Sequence, residues 1–177
     1  VSKDRVGKDE IKRLEDLADP KWKGKICTRK GSHVYNRALL ASLVAAHGEA
    51  TAEKWARGMV ANLARKPQGN DRAQAKAISQ GICDIAIMNH YYYFQMKKNK
   101  NPAQHKWAES IRIVFTNQGD RGNHVNISGI GLAKHSKNKK LAITLMEYLS
   151  SKQAQSLYAE VNYEYPANAA MDASREV

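Results

Sequence analysis

The chain has 177 residues, with 29 Lys and Arg against 17 Asp and Glu, a formal charge of +12, 42% apolar residues and 7% aromatics. That is room for one domain with a buried core, and it excludes collagen, coiled coil and wholesale disorder. No apolar run approaches the ~18 residues of a membrane-spanning helix, and two cysteines are too few for a disulfide scaffold although one pair could bond.

The start, Val1-Ser2-Lys3-Asp4, has no Met and no apolar run behind it. A processed chain or a piece of a longer protein is therefore expected. Met171 to Val177 likewise carries no pattern of a packed terminal helix. Asp19-Pro20-Lys21-Trp22-Lys23-Gly24 reads as a turn, and Lys25-Ile26-Cys27-Thr28 as a short strand. Ser32 stands as the cap of a helix running to His47, which Gly48 closes and whose apolar circumference predicts deep burial. Thr51 is placed to cap a second helix with Ala52, Trp55, Ala56, Met59 and Leu63 at helical spacing. Asn70 opens a third, ended by Gly81.

Ile82 to Met88 reads as a buried strand, with Asn89-His90-Tyr91-Tyr92-Tyr93-Phe94 directly behind it and a lysine-rich loop at 97–102. Ile111 to Phe115 reads as a clear strand, and Val125 to Leu132 as a second extended run broken by Gly129 and Gly131. Two helices close the chain, one carrying Ala142, Leu145, Met146 and Leu149, the other Ala154, Leu157, Tyr158 and Val161. Helices alternating with short buried strands predict an α/β fold with a mostly parallel sheet.

No enzyme site is legible. The chain has no GxxxxGK[ST], GxGxxG, GxSxG or HExxH, neither cysteine lies in a CxxC, the histidines are scattered, and Asp71, Asp84 and Asp120 stand alone. The charge suggests nucleic acid, but that reading expects basic residues on one face with interleaved aromatics. Here the lysines spread over predicted helix surfaces and loops, from Lys8 to Lys152, as on a solvated surface.

Tyrosine is the unusual feature. Tyr91, Tyr92 and Tyr93 follow a buried strand, at the end where open α/β sheets place their ligands, and Tyr35 lies in the first turn after another strand. Phenolate is a hard anionic donor suited to Fe(III), and a phenol with a reference pKa of about 10 loses its proton at neutral pH only to a strong Lewis acid. Three phenolates would balance a 3+ ion. Spacing alone also allows ordinary packed aromatics.

Beyond spacing, Lys30-Gly31-Ser32-His33-Val34-Tyr35-Asn36 and the segments 62–71 and 84–93 resemble the ferric-ion-binding proteins of bacterial ABC iron-uptake systems. So do the segments 122–129 and 158–166, and the similarity is greatest to the branch that coordinates iron mainly through tyrosines. The resemblance implies a type II periplasmic-binding-protein-like lobe, its sheet flanked by helices, with hinge-crossing strands near Val114-Phe115 and Val125-Asn126. Residues 1–177 would form one C-terminal lobe, without the N-terminal lobe and the C-terminal tail. It implies Tyr35, Tyr91 and Tyr92 as Fe(III) ligands, with Tyr93 packing nearby. A small anion (carbonate or phosphate) or water would complete the coordination, with Ser32, His33 and Asn89 as candidates to seat the anion.

The same resemblance implies a periplasmic protein, not membrane-embedded, that delivers iron to an inner-membrane ABC permease. A lone lobe could not close over the metal, so weakened binding is expected, and apolar surface meant for the other lobe would allow self-association. Neighbouring parallel strands would bring Cys27 and Cys83 within reach, and an oxidising periplasm favours a disulfide between them. The alternatives are a binding protein of the same fold for another anionic or organic ligand, and a basic nucleic-acid-binding domain.

Overall fold

The computed structural model describes residues 1–168 and Met171, so the reading of 172–177 lies outside the described residues. The fold is α/β, with helices packed around a parallel strand pair. The chain groups into two compact units, Val1–Asn126 and Ile127–Val177.

In the first unit, β1 (Ile26–Cys27) pairs in parallel with β2 (Ile85–Ala86), in the register Ile26 to Ile85 and Cys27 to Ala86. A parallel pair needs a long crossover, here supplied by α1 (Val34–His47), α2 (Glu49–Ala61) and α3 (Asp71–Ser79). Side chains alternate across a strand, and the two faces bury different clusters. Ile26 and Ile85 join Leu14, Leu17, Trp22, Leu43 and Trp55, whereas Cys27 joins Ile78, Cys83, Met96, Ala108 and Ile111. The second cluster lies under α3, α4 (Tyr91–Lys97) and α5 (Pro102–Glu109).

The regular sheet is smaller than predicted. Leu63 bridges Ile26 in parallel and Ser2 bridges Ile111 antiparallel, each as an isolated pair. The strand expected over 111–115 is reduced to the Ile111 bridge and the Arg112 N–H donating to the Val1 carbonyl at 2.9 Å, and 125–132 forms no strand, so the hinge-crossing strands are not seen among the described residues. A strand exists only through a ladder partner, and the Thr116 N–H is instead taken by the Asn123 side chain at 3.0 Å. Ile127, Val125 and Ile130 are accordingly exposed.

Local signals place most helix ends. Asn70 caps α3 by accepting from the Ala73 N–H, and Gly48, at φ 78°, ends α1 and opens α2, ahead of the expected Thr51. His33, not Ser32, caps α1, its imidazole accepting from the Tyr35 N–H. Nor is α1 deeply buried: Leu43 is its one fully buried residue and Val34 and Leu40 are exposed, because the core takes only one stripe of it. The predicted lysine-rich loop ends at α5, where Asn101 caps and Pro102 fills the first helical position.

The second unit holds α6 (Lys139–Leu149), α7 (Lys152–Leu157) and a π-helical turn, Tyr158–Asn162. Ser151 caps α7, Ala154 and Ala159 are buried, and α6 has no buried residue, with Leu141 and Leu145 exposed. No described helix is long and apolar enough to cross a membrane. Cys27 and Cys83 form a disulfide, their Cα atoms 5.9 Å apart, so the pairing expected from neighbouring strands is present.

Candidate functional site

The parallel register of β1 and β2 sends both chains out of the sheet in the same direction. The chain leaving β1 reaches Tyr35 in the first turn of α1, and the chain leaving β2 reaches Tyr91 at the start of α4. Their hydroxyl oxygens meet at 3.1 Å. Tyr92 lies beside them, its ring centroid 4.4 Å from that of Tyr91. The three tyrosines singled out in the sequence therefore converge. Tyr93 faces elsewhere and packs against the cluster of Cys27, Ile78 and Met96.

Polar groups fix these rings from behind. Asn89 donates its side-chain amide to the Tyr91 hydroxyl at 3.1 Å, and its amide oxygen accepts from Asn126 at 2.9 Å. Asp71, almost wholly buried, is ion-paired with Arg29 and accepts the Asn89 backbone N–H at 2.9 Å. The Arg29 guanidinium lies 5.0 Å from the centroid of the Tyr35 ring. That of Arg72 lies 4.7 Å from the Tyr92 ring and donates to Gln95 at 2.6 Å. Cations over aromatic faces are attracted by the ring quadrupole, and here they also stand near any charge that forms on the phenol oxygens.

Without a metal the phenols of Tyr91 and Tyr92 stay protonated. Burial pushes the Tyr91 pKa well above its ordinary value; the hydrogen bond to Tyr35 adds to this and donation from Asn89 opposes it. Burial also raises Tyr92, where the hydrogen bond from Tyr91 works the other way, and Tyr35 and the Asp71 charge push it up further. A cluster of hard phenol oxygens, whose protons a strong Lewis acid can displace, is suited to a trivalent cation. No group of three or more His, Cys, Asp or Glu among the described residues is placed to hold a metal.

Of the candidates to seat an anion, Ser32 is exposed, the His33 ring is engaged as a helix cap, and the Asn89 amide is engaged at both ends. Asn89 thus orients the Tyr91 phenol. Arg29, Arg72, Asp71 and Asn126 were not legible as site residues. Asp71 and Asn126 lie inside segments that carry the family resemblance, but nothing local in the sequence gives them a role.

The profile of the bacterial extracellular solute-binding protein family matches residues 1–177. Iron uptake protein A2 of Synechocystis is 47% identical over 167 residues, covering 93% of this chain and 48% of its own. The solved Trichodesmium structure described as a complex with iron and citrate ligands is 45% identical, with a TM-score of 0.92 over 98% of this chain and 55% of that one. The ferric iron-binding protein A of Mannheimia haemolytica, solved in an open conformation, is 48% identical, with a TM-score of 0.91 over 99% and 55%. This chain therefore spans about half the length of the relatives it matches.

Proposed function

The chain belongs to the family of bacterial extracellular solute-binding proteins, and on that premise we propose that it serves in the capture of ferric iron, with Tyr35, Tyr91 and Tyr92 as phenolate ligands. The observation that carries this reading is the meeting of the Tyr35 and Tyr91 hydroxyls at 3.1 Å from two separate loops, with the Tyr92 ring 4.4 Å from that of Tyr91. The relatives' names, iron uptake protein and ferric iron-binding protein, support it, and they describe transport and binding rather than catalysis.

The chemistry follows from charge. Fe(III) displaces the protons of the half-buried phenols, and three phenolates then neutralise the charge of the ion. Arg29 and Arg72 stand over the rings of Tyr35 and Tyr92, where positive charge favours the phenolate form. The Asn89 amide does the same for Tyr91 by donating to its oxygen. A small anion or water would fill the remaining positions. Delivery to an inner-membrane ABC permease from the periplasm completes the proposal.

Titrating the metal-free protein with ferric citrate tests the ligand assignment. A tyrosinate-to-iron charge-transfer band should grow in the visible and be lost in Tyr92→Phe. No band in the wild type, with Tyr92→Phe indistinguishable from it, removes the assignment. An organic or anionic ligand bound without colour would favour a solute-binding protein of another specificity.

A further inference from the structure

We propose that Asp71 is the positioning residue that sets the spacing of the tyrosine hydroxyls, an inference that rests on the ferric reading above for its metal-binding consequence. Its two carboxylate oxygens serve the two halves of the site. Oδ2 holds the guanidinium of Arg29, which lies against the Tyr35 ring at 5.0 Å. Oδ1 accepts the backbone N–H of Asn89 at 2.9 Å, and the side chain of that same residue donates to the Tyr91 hydroxyl at 3.1 Å. The next residue, Arg72, covers the Tyr92 ring at 4.7 Å. The start of α3 therefore reaches all three tyrosines, although it supplies none of them.

Burial makes this pairing strict. Asp71 is 1% exposed, and a carboxylate removed from water is tolerated only when its oxygens are paired. Each oxygen has its partner on a different loop: Arg29 follows β1, and Asn89 follows β2. The carboxylate thus ties together two segments that are remote in sequence and that each carry a ligand. Groups behind a metal's ligands commonly alter affinity by about 10- to 100-fold when removed, because a site needs its donors held within roughly 0.5 Å.

The test uses two variants, Asp71→Asn and the double change Arg29→Gln with Asp71→Asn. The double variant removes both charges together and leaves no unpaired buried ion, so it keeps the question open should the single variant fold poorly. In crystal structures of the metal-free protein, the Tyr35 and Tyr91 hydroxyls should move beyond hydrogen-bonding distance in the variants. An unchanged separation overturns the proposal whether or not iron binds. In ferric citrate competition, affinity should fall about 10- to 100-fold, and the charge-transfer band should shift in wavelength, which loss of stability alone would not cause. Wild-type affinity and an unshifted band in the double variant also overturn it. A wild type without any band would sink the ferric reading instead, leaving the spacing role to be decided by the metal-free structures.

Discussion

The phenol oxygens of Tyr35 and Tyr91 lie 3.1 Å apart across a sequence separation of 56 residues. Cys27 and Cys83, also separated by 56 residues, are joined by a disulfide. The same parallel strand pair underlies both relationships: the loops leaving β1 and β2 at one end of the sheet carry the tyrosines, while Cys27 lies within β1 and Cys83 just ahead of β2.

Iron loading should release at least two protons per metal, from Tyr91 and Tyr92, because burial raises both phenols. The logarithm of apparent affinity should rise by at least about two per pH unit below the phenol range. Proton release measured in weakly buffered solution, corrected with a protein-free ferric citrate blank, checks this. A release near zero would show that phenolates are not the ligands.

Replacing Tyr35 with Phe should let Tyr91 ionise at lower pH in the metal-free protein. The hydrogen bond to Tyr35 is one of the effects that raises the Tyr91 phenol, second to burial. A spectrophotometric tyrosinate titration reads the change, and a curve shifted to higher pH would contradict it.

Glu15 should contribute to acid stability. Burial works to raise its pKa, but hydrogen bonds from Asn117, the backbone, His47 and Arg121 outweigh it and hold the value at about 2. A folded-state value below the unfolded 4.5 stabilises fully above about pH 4.5, and the contribution is lost as pH falls toward 2. Its side chain is 19% exposed, so the contribution is at most about 3 kcal/mol. Urea unfolding at pH 7, 4 and 3 should show Glu15→Gln with a weaker pH dependence than the wild type over that window.

Reducing the disulfide should destabilise the fold by about 4 kcal/mol on the loop-entropy account, for a closure of 56 residues between two buried cysteines. Unfolding of Cys27→Ser with Cys83→Ser measures it. A thiol assay on denatured, unreduced protein should find none, and two free thiols would refute the bond.

Gly58→Ala should destabilise, although alanine is the better helix former by about 1 kcal/mol. A Cβ there would stand 2.9 Å from the Ala18 Cβ and 3.1 Å from the Ala18 carbonyl oxygen. Backbone cannot yield easily, and overpacking costs about 1–3 kcal/mol. A thermal midpoint above that of the wild type would count against this close approach of α2 to the 3-10 turn Leu14–Ala18.

Local chemistry made much of the fold legible. Asn70 before α3, Asn101-Pro102 before α5 and Gly48 between α1 and α2 act within three or four residues of themselves, so sequence order is enough to read the first and the last of them. The Asn101-Pro102 signal is equally local but was masked by the lysines on either side. The extended run at 111–115 was not decidable in this way. Its apolar alternation is a strand pattern, yet only Ile111 finds a bridge partner, in Ser2.

The sequence by itself determined the α/β class, because residue types and short-range spacing carry that information, and its resemblance to a known family singled out the three tyrosines. Tertiary structure alone decided that Tyr35 meets Tyr91 and that Asp71 joins Arg29 to Asn89. Those contacts span 56, 42 and 18 residues, and they depend on a crossover that lays β1 beside β2 in one register. The register, which sets which side chains share a face and which oxygens touch, exists only once the two strands are hydrogen-bonded.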